Sequence, residues 1–177
     1  MSKPTLATIW LDGCSGCHMS FLDLDERLIE LSAQFDLVYS PLVDQKVLPA
    51  HVDIALVEGS VSNEDDEQKI RLVRSRVRTL VSLGDCAVTG NVPAMRNSFS
   101  VDSLFARAYL ENATAQQQRP TERVPALIPR VRPIHEVVPV DICVPGCPPS
   151  ADTIYAALSE LLAGRVPDIA ALTRFGA

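Results

Sequence analysis

The chain has 177 residues, of which 47% are hydrophobic, and a formal net charge of −6 at pH 7. This charge disfavours a nucleic-acid-binding protein, which needs a basic surface to neutralise phosphates. The sequence has no run of about 18 apolar residues that could span a membrane, and no secretion-signal pattern follows Met1. We therefore expect one compact domain over residues 1–177, located in the cytoplasm and without a nucleic-acid partner.

Strand-like and helix-like segments alternate along the chain. Short apolar runs bounded by Gly, Pro or Ser predict strands, and apolar residues three or four positions apart predict helices. Asn63 and Ser150 can each cap the helix that follows them. In chain order, the predicted elements are a strand at Leu6–Leu11, a helix at Phe21–Phe35, strands at Asp36–Ser40 and Val52–Val57, a helix from the Asn63 cap to about Val77, a strand at Thr79–Leu83, a helix at Val101–Glu111, a strand at Val140–Val144 and a helix at Ala151–Ala163.

A proline-rich segment at about residues 112–139 interrupts this alternation. Its five prolines exclude a regular helix and a central strand, so we expect an extended surface segment. Such a segment has few ways to bury its own apolar side chains without a partner. These side chains are Val124, Leu127, Ile128, Val131 and Ile134.

The alternation of strands and helices predicts an α/β fold with a doubly wound parallel sheet covered by helices on both faces. We expect the flavodoxin-like strand order. In such sheets ligands bind outside the carboxyl ends of the strands. Side chains that follow different strands are thereby brought to one rim of the sheet.

Four of the five cysteines follow predicted strands, next to Gly or Pro or close to one: Cys14 and Cys17 in D-G-C-S-G-C, Cys86 in L-G-D-C-A and Cys147 in V-P-G-C-P-P. An odd number of cysteines without a secretion signal argues against a disulfide framework. C-x-x-C alone would also suit zinc or a thioredoxin-type redox pair. Two further cysteines at equivalent strand ends favour a [4Fe–4S] cluster. Structural zinc and buried, unliganded thiols are the remaining alternatives.

The fifth cysteine, Cys143, lies within the last predicted strand, four residues before Cys147. We interpret it as a small core residue of that strand. It would serve as a ligand only if Cys147 did not.

Several motifs together resemble a known family. They are C-S-G-C-H after the first strand, V-E-G-S after the third, G-D-C-A after the fourth, and V-R-P-I-H-E-V-V-P-V-D-I-C-V-P-G-C-P-P-S. Over nearly its whole length the chain resembles the small, electron-transferring subunit of the soluble, NAD-reducing (bidirectional) [NiFe] hydrogenases. The resemblance implies that Cys14, Cys17, Cys86 and Cys147 are the ligands of the proximal [4Fe–4S] cluster.

The same resemblance implies an electron relay between partner subunits. A [NiFe] hydrogenase large subunit would hold the Ni–Fe centre, and a diaphorase module would hold FMN, further clusters and NAD. No cysteine follows Cys147, so we expect a single cluster in this chain. We expect no FMN here, because cysteines occupy the first loop, which would have to cradle the flavin phosphate.

Two alternatives to this function stay open. The first is the cluster-bearing subunit of respiratory complex I beside its quinone site. That family shares P-G-C-P-P and the fold, but it has two adjacent cysteines where this chain has C-S-G-C. The second is a stand-alone iron–sulfur redox protein.

Two residues other than cysteine stand out near the predicted cluster. Glu58 ends the third strand at the same rim, and the resemblance places its counterpart near the proximal cluster. It is a candidate for supporting the cluster from outside its ligand shell or for handling protons, with an acceptor for loop N–H groups as the alternative. His18 directly follows Cys17 and is interpreted as an interface residue, or else as a donor to the cluster.

Small and acidic residues flank the cysteines. Gly13, Gly16 and Gly146 are candidates for close backbone approach to the sulfur atoms. Asp12 and Asp85 would make reduction of a cluster harder if their charges pointed inward. We expect them to cap backbone groups or to face solvent.

Overall fold

The computed structural model describes residues 3–173. In chain order the strands are β1 (Thr5–Trp10), β2 (Asp36–Tyr39), β3 (Val52–Glu58), β4 (Val61–Asn63), β5 (Val77–Leu83), β6 (Leu127–Arg132) and β7 (Ile142–Val144). The α-helices are α1 (Gly16–Leu22), α2 (Glu26–Ser32), α3 (Glu64–Arg76), α4 (Asp85–Thr89), α5 (Asn91–Ala94), α6 (Val101–Phe105), α7 (Ala151–Leu162) and α8 (Ile169–Leu172). Turns of 3₁₀-helix lie at Met95–Ser98 and Ile134–Glu136, and a π-helical stretch at Ala106–Glu111 continues α6.

Five strands form one parallel sheet in the order β2-β1-β3-β5-β7. The strands β4 and β6 pair separately, so the five parallel strands follow the order 2-1-3-4-5 when they are numbered among themselves. This is the flavodoxin-like order of a doubly wound sheet. The predicted fold class is therefore confirmed.

Apolar side chains pack against both faces of this sheet. On one face, Ile70 of α3 joins a buried cluster that contains Val57 of β3. On the other face, Phe21 of α1 and Leu158 of α7 join a cluster that contains Leu56. The neighbours Leu56 and Val57 thus serve opposite faces, as the side chains of a strand covered on both sides must.

Both predicted helix caps are confirmed. The Asn63 side chain accepts a hydrogen bond from the Asp66 backbone N–H at 2.9 Å, and the Ser150 side chain accepts one from the Thr153 N–H at 3.2 Å. Each cap satisfies one of the free N–H groups at the start of its helix. The acidic first turn of α3 adds a favourable interaction with the helix dipole.

The single helix predicted at Phe21–Phe35 is wrong. The chain forms α1 and α2 instead, and α1 already begins at Gly16. The break lies at Asp25, whose φ of 50° is incompatible with a continuous helix. Leu24, just before the break, is 1% exposed, so the kink turns an apolar side chain into the core.

The proline-rich segment is extended in part, as expected, but it lies less on the surface than expected. Its second half contains β6, which pairs in antiparallel fashion with β4. Ile128, Val131 and Ile134 are buried within this chain, whereas Val124 is exposed. The expectation that these side chains depend on a partner for burial is therefore wrong for three of the five.

Two side chains of the turn after α5 bind backbone groups of β6. Asn97 donates from Nδ2 to the Val131 carbonyl at 2.9 Å, and its Oδ1 accepts from the Val131 N–H at 2.7 Å. Arg96 donates to the carbonyl of Ile128 at 3.0 Å. Residues of the turn after α5 thus take the place of a neighbouring strand.

Truncation of Ile134 tests this packing. Ile134→Ala is expected to lower the free energy of unfolding by about 2–5 kcal/mol, because the side chain is fully buried and leaves a cavity. The measurement is amide hydrogen exchange of β6 together with thermal unfolding of the assembled protein. The matched control is Val166→Ala, at an 84% exposed position, with an expected effect within about 0.5 kcal/mol. Equal exchange rates for β6 in the two variants would contradict the burial of the segment.

Among residues 3–173, every helix is too short or too polar to cross a membrane.

Candidate iron–sulfur site

The four predicted ligands lie at the carboxyl ends of three parallel strands. Cys14 follows β1, and Cys17 lies in the first turn of α1. Cys86 lies in the first turn of α4 after β5, and Cys147 follows β7. The rim of the sheet therefore collects side chains that are up to 133 positions apart in the sequence, since 147 − 14 = 133.

Burial and neighbouring charges act on two of the four thiols. Burial raises the pKa of the Cys17 thiol, and so do the charges of Glu58, Cys86, Cys14 and Cys147, in that order. Burial and the charges of Cys147 and Cys14 also raise the pKa of Cys86. Four thiolates near one another are unfavourable without a cation, so a positively charged iron centre would stabilise them and release their protons.

The exposure of the cysteines differs along the rim. Cys17 is buried at 7% exposure and Cys86 is half-buried, whereas Cys14 and Cys147 are exposed. One side of the site is thus closed by this chain, and the other side is open.

Cys143 does not belong to this group, and its predicted place in the core is wrong. It is exposed, because β7 is an edge strand of the sheet and only its neighbour Val144 is fully buried. Partial burial alone raises the pKa of the Cys143 thiol, with no contribution from the other cysteines.

Two N–H groups from one loop point at sulfur atoms. The side-chain Nδ2 of Asn91 donates to Cys147 Sγ at 3.4 Å, and the backbone N–H of Val92 donates to Cys86, which lowers the pKa of that thiol. Such donors favour the charged form of sulfur and are one of the means by which proteins set cluster potentials. The sequence analysis missed Asn91. The available signal was its position in the T-G-N-V-P loop directly after the Cys86 helix.

Glycine is required where the backbone passes close to sulfur. A Cβ at Gly84 would lie 2.2 Å from Cys17 Sγ, and Gly84 has a φ of +83°. A Cβ at Gly16 would lie 3.2 Å from Cys14 Sγ. Gly16 therefore agrees with the expected close approach, and Gly84, which the sequence analysis did not single out, is the tightest position.

The other two candidate glycines are needed for different contacts. A Cβ at Gly146 would lie 2.5 Å from the backbone of Pro149, within the P-G-C-P-P turn. A Cβ at Gly13 would meet the backbone of Gly59 at 3.3 Å and Glu58 Oε1 at 3.5 Å. Both glycines thus allow the backbone of the cysteine-bearing loops to pack closely.

The two aspartates beside the cysteines bind backbone or side-chain donors. Asp85 Oδ1 accepts from the Gly146 N–H at 2.7 Å, and the Asp85 N–H donates to the Gly146 carbonyl at 2.8 Å. These reciprocal bonds tie the loop of Cys86 to the loop of Cys147. Asp12 accepts a hydrogen bond from Ser62 Oγ and exchanges two backbone hydrogen bonds with Ser60. The expectation that both aspartates act mainly as caps agrees with these contacts.

Glu58 and His18 form a buried pair next to Cys17. The Glu58 carboxylate is 1% exposed and His18 is 6% exposed. Glu58 Oε2 accepts from the His18 backbone N–H at 2.9 Å and contacts His18 Nδ1 at 2.5 Å. Glu58 is therefore an acceptor for a loop N–H, as one of the sequence hypotheses stated. Its contact with the His18 ring joins two residues 40 positions apart, which no local pattern in the sequence indicated.

A mononuclear site and a multi-iron cluster require different spacings of the thiols. Within the described range, residues 3–173, no three Cys, His, Asp or Glu side chains lie close enough to hold one metal ion. Zinc bonds of about 2.3 Å would bring the sulfur atoms of a tetrahedral site to about 3.8 Å from one another. A multi-iron cluster places its four ligands at separate corners and therefore spaces them more widely. Four cysteine thiols are the usual ligands of such a cluster.

The fold and these cysteines agree with a known protein family. Residues 14–161 match the family described as NADH ubiquinone oxidoreductase, 20 Kd subunit, and the chain belongs to this family.

Relatives within the family include hydrogenase subunits. The chain is 42% identical to the NAD-reducing hydrogenase HoxS subunit delta of Cupriavidus necator over 172 residues, which are 94% of this chain and 82% of that subunit. It is 37% identical to a subunit of the F420-non-reducing hydrogenase of Methanocaldococcus jannaschii, over 91% of this chain. The alignment spans only 57% of that methanogen protein.

Solved structures of hydrogenases also resemble this chain. A chain in the crystal structure of an NAD+-reducing [NiFe]-hydrogenase in the H2-reduced state has a TM-score of 0.92 and 40% identity, over 98% of this chain and 99% of that chain. A chain of the Dm. baculatum [NiFeSe]-hydrogenase has a TM-score of 0.59 at 17% identity, over 95% of this chain and 67% of that chain, and supports the fold alone. The predicted resemblance to the small subunits of NAD-reducing [NiFe] hydrogenases is confirmed.

Proposed function

We propose that the chain is the electron-transferring small subunit of a cytoplasmic, NAD-reducing [NiFe] hydrogenase, an oxidoreductase. The observation that carries this proposal is the similarity to a chain of an NAD+-reducing [NiFe]-hydrogenase over 98% of this chain, with a TM-score of 0.92. The position of four cysteines after β1, β5 and β7, at one rim of the sheet, also supports it. Cys14, Cys17, Cys86 and Cys147 are the proposed ligands of one [4Fe–4S] cluster.

The cluster supplies one-electron redox chemistry when it is bound. The residues of this chain bind the cluster, limit the access of water to it and donate hydrogen bonds to its sulfur ligands. Cys17 and the nearby Gly84 form a closed wall that excludes water from one side, and Asn91 and Val92 direct N–H groups at the sulfur atoms of Cys147 and Cys86.

The open side of the site requires a partner. Large apolar side chains are exposed on the segments that carry or follow the ligands, namely Met19 and Leu22 on α1 and Val92, Met95 and Phe99 after Cys86. Exposed apolar groups beside half-open cysteines indicate a surface that another subunit covers. The large subunit with the Ni–Fe centre is the proposed occupant, and a permanent interface of this kind buries more than about 2,000 Å².

A diaphorase module is the proposed electron acceptor. It would hold FMN, NAD and further clusters, since the four grouped cysteines among the described residues provide for a single cluster. We propose no FMN site in this chain, because cysteines occupy the loop after β1.

Metal analysis of the purified complex tests this function. The complex is isolated anaerobically through this chain and analysed for nickel, iron, acid-labile sulfide and subunit masses. We expect nickel with a large-subunit partner, and about four irons that depend on this chain. Iron without nickel would point to the complex-I-like alternative or to a stand-alone cluster protein. Zinc without sulfide would overturn the cluster.

A further inference from the structure

Glu58 is hydrogen-bonded to the peptide group that directly follows a proposed cluster ligand. The amide N–H of His18 belongs to the Cys17–His18 peptide, and it donates to Glu58 Oε2 at 2.9 Å. The same oxygen contacts His18 Nδ1 at 2.5 Å. Glu58 is 1% exposed, so both contacts lie inside the protein.

A buried carboxylate affects the charge balance of its neighbourhood strongly, because water does not screen it. Within the described range, the Glu58 side chain contacts the ring and the backbone N–H of His18, and no Lys or Arg forms an ion pair with it. The Glu58 carboxyl group therefore lies one peptide group away from Cys17, and the His18 ring is its side-chain partner among these residues.

The His18 ring makes only one hydrogen bond among the described residues. Its Nδ1 contacts Glu58, whereas its Nε2 is buried and has no partner there. The ring is thus held by Glu58 and by packing alone. A side chain that presents one N–H at the position of Nδ1 would reproduce its polar contact.

We propose that Glu58 and His18 act as a positioning pair that sets the reduction potential of the cluster held by Cys17. The Glu58 carboxylate disfavours the extra negative charge of the reduced cluster, and the N–H of His18 Nδ1 offsets part of that effect. This inference rests on the proposed function, because it requires a cluster on Cys17. It predicts that Glu58 and His18 shift the reduction potential in opposite directions.

The test compares three variants in the anaerobically purified complex at one fixed pH. Glu58→Gln removes the charge and keeps the size of the side chain. His18→Leu removes the Nδ1 donor, and His18→Asn keeps a donor at the Nδ1 position. The readouts are iron per chain and a redox titration followed by EPR. The EPR signal that is followed is the one that disappears in the Cys17→Ser variant.

The two members of the pair are expected to shift the potential in opposite directions. At the wild-type midpoint, Glu58→Gln raises the ratio of reduced to oxidised cluster about tenfold, which equals about +59 mV for a one-electron couple. His18→Leu lowers that ratio by a smaller factor, roughly threefold, or about −28 mV. His18→Asn stays close to the wild-type ratio.

The possible results separate this inference from the proposed function. A wild-type complex without nickel or without the cluster signal refutes the proposed function. A wild-type complex with both, in which Glu58→Gln and His18→Leu leave the potential unchanged or shift it in the same direction, overturns the positioning pair. Loss of iron in Glu58→Gln or His18→Leu would show a purely structural role, and it would also overturn the pair. A His18→Asn complex that behaves like His18→Leu would overturn the role assigned to Nδ1.

Discussion

Replacement of Cys17 by Ser is expected to remove about four irons per chain and to lower hydrogen-dependent NAD reduction by more than about 100-fold. Substitutions next to a metal ligand typically lower activity by only about 10–100-fold. The reason is that a hydroxyl group does not provide the thiolate that iron binds, and Cys17 is the most buried of the four ligands. The measurement is iron and sulfide content of the purified complex, followed by turnover.

Cys143→Ser is the matched control for this variant. Cys143 is an exposed thiol on an edge strand, four residues before Cys147. Its replacement is expected to leave iron content and turnover at wild-type levels. If Cys143→Ser lost the cluster and Cys147→Ser retained it, the ligand assignment would have to change.

Replacement of Gly84 by Ala is expected to displace Cys17 and to lose most of the iron. A Cβ at this position would lie 2.2 Å from Cys17 Sγ, and the backbone φ of +83° adds strain of about 1–2 kcal/mol for any other residue. The strain alone is tolerable, so the collision with sulfur is the larger effect. The measurement is iron per chain together with the EPR spectrum of the reduced complex.

Gly164→Ala separates strain from collision. Gly164 has a similar φ of +74°, but a Cβ there would meet nothing within 4 Å. This variant is expected to lower stability by about 1–2 kcal/mol and to keep its full iron content. Equal iron content in the two variants would mean that the loop after β5 can move away from Cys17, and it would refute the close approach.

Local patterns in the sequence were sufficient for much of the fold. The predicted ends of each of the five parallel strands lie within about two residues of the ends in the structure, because buried strands have continuous apolar runs. The caps Asn63 and Ser150 were found because their chemistry depends only on residues a few positions away. The rim position of the four cysteines then followed from the strand order, although their role as ligands stays a proposal.

The features that the sequence did not reveal depend on distant contacts. The break at Asp25 depends on burial of Leu24 against the sheet, and the exposure of Cys143 depends on β7 being an edge strand. The pairing of β4 with β6 joins residues 64 to 71 positions apart, and its register cannot be read from local propensity. The contact between Glu58 and His18 has the same origin.

The hydrogen bonds from Asn97 to Val131 have a consequence for the behaviour of the chain in solution. A two-stranded ribbon with a free outer edge is a template on which a second copy could add its own strand. Here the N–H and carbonyl of Val131 are both occupied by one side-chain amide, and Pro129 in the same strand has no N–H to offer. Asn97 and Pro129 thus leave no free N–H at positions 129 and 131 of β6 for a second strand to bind, and they do so without a surface charge.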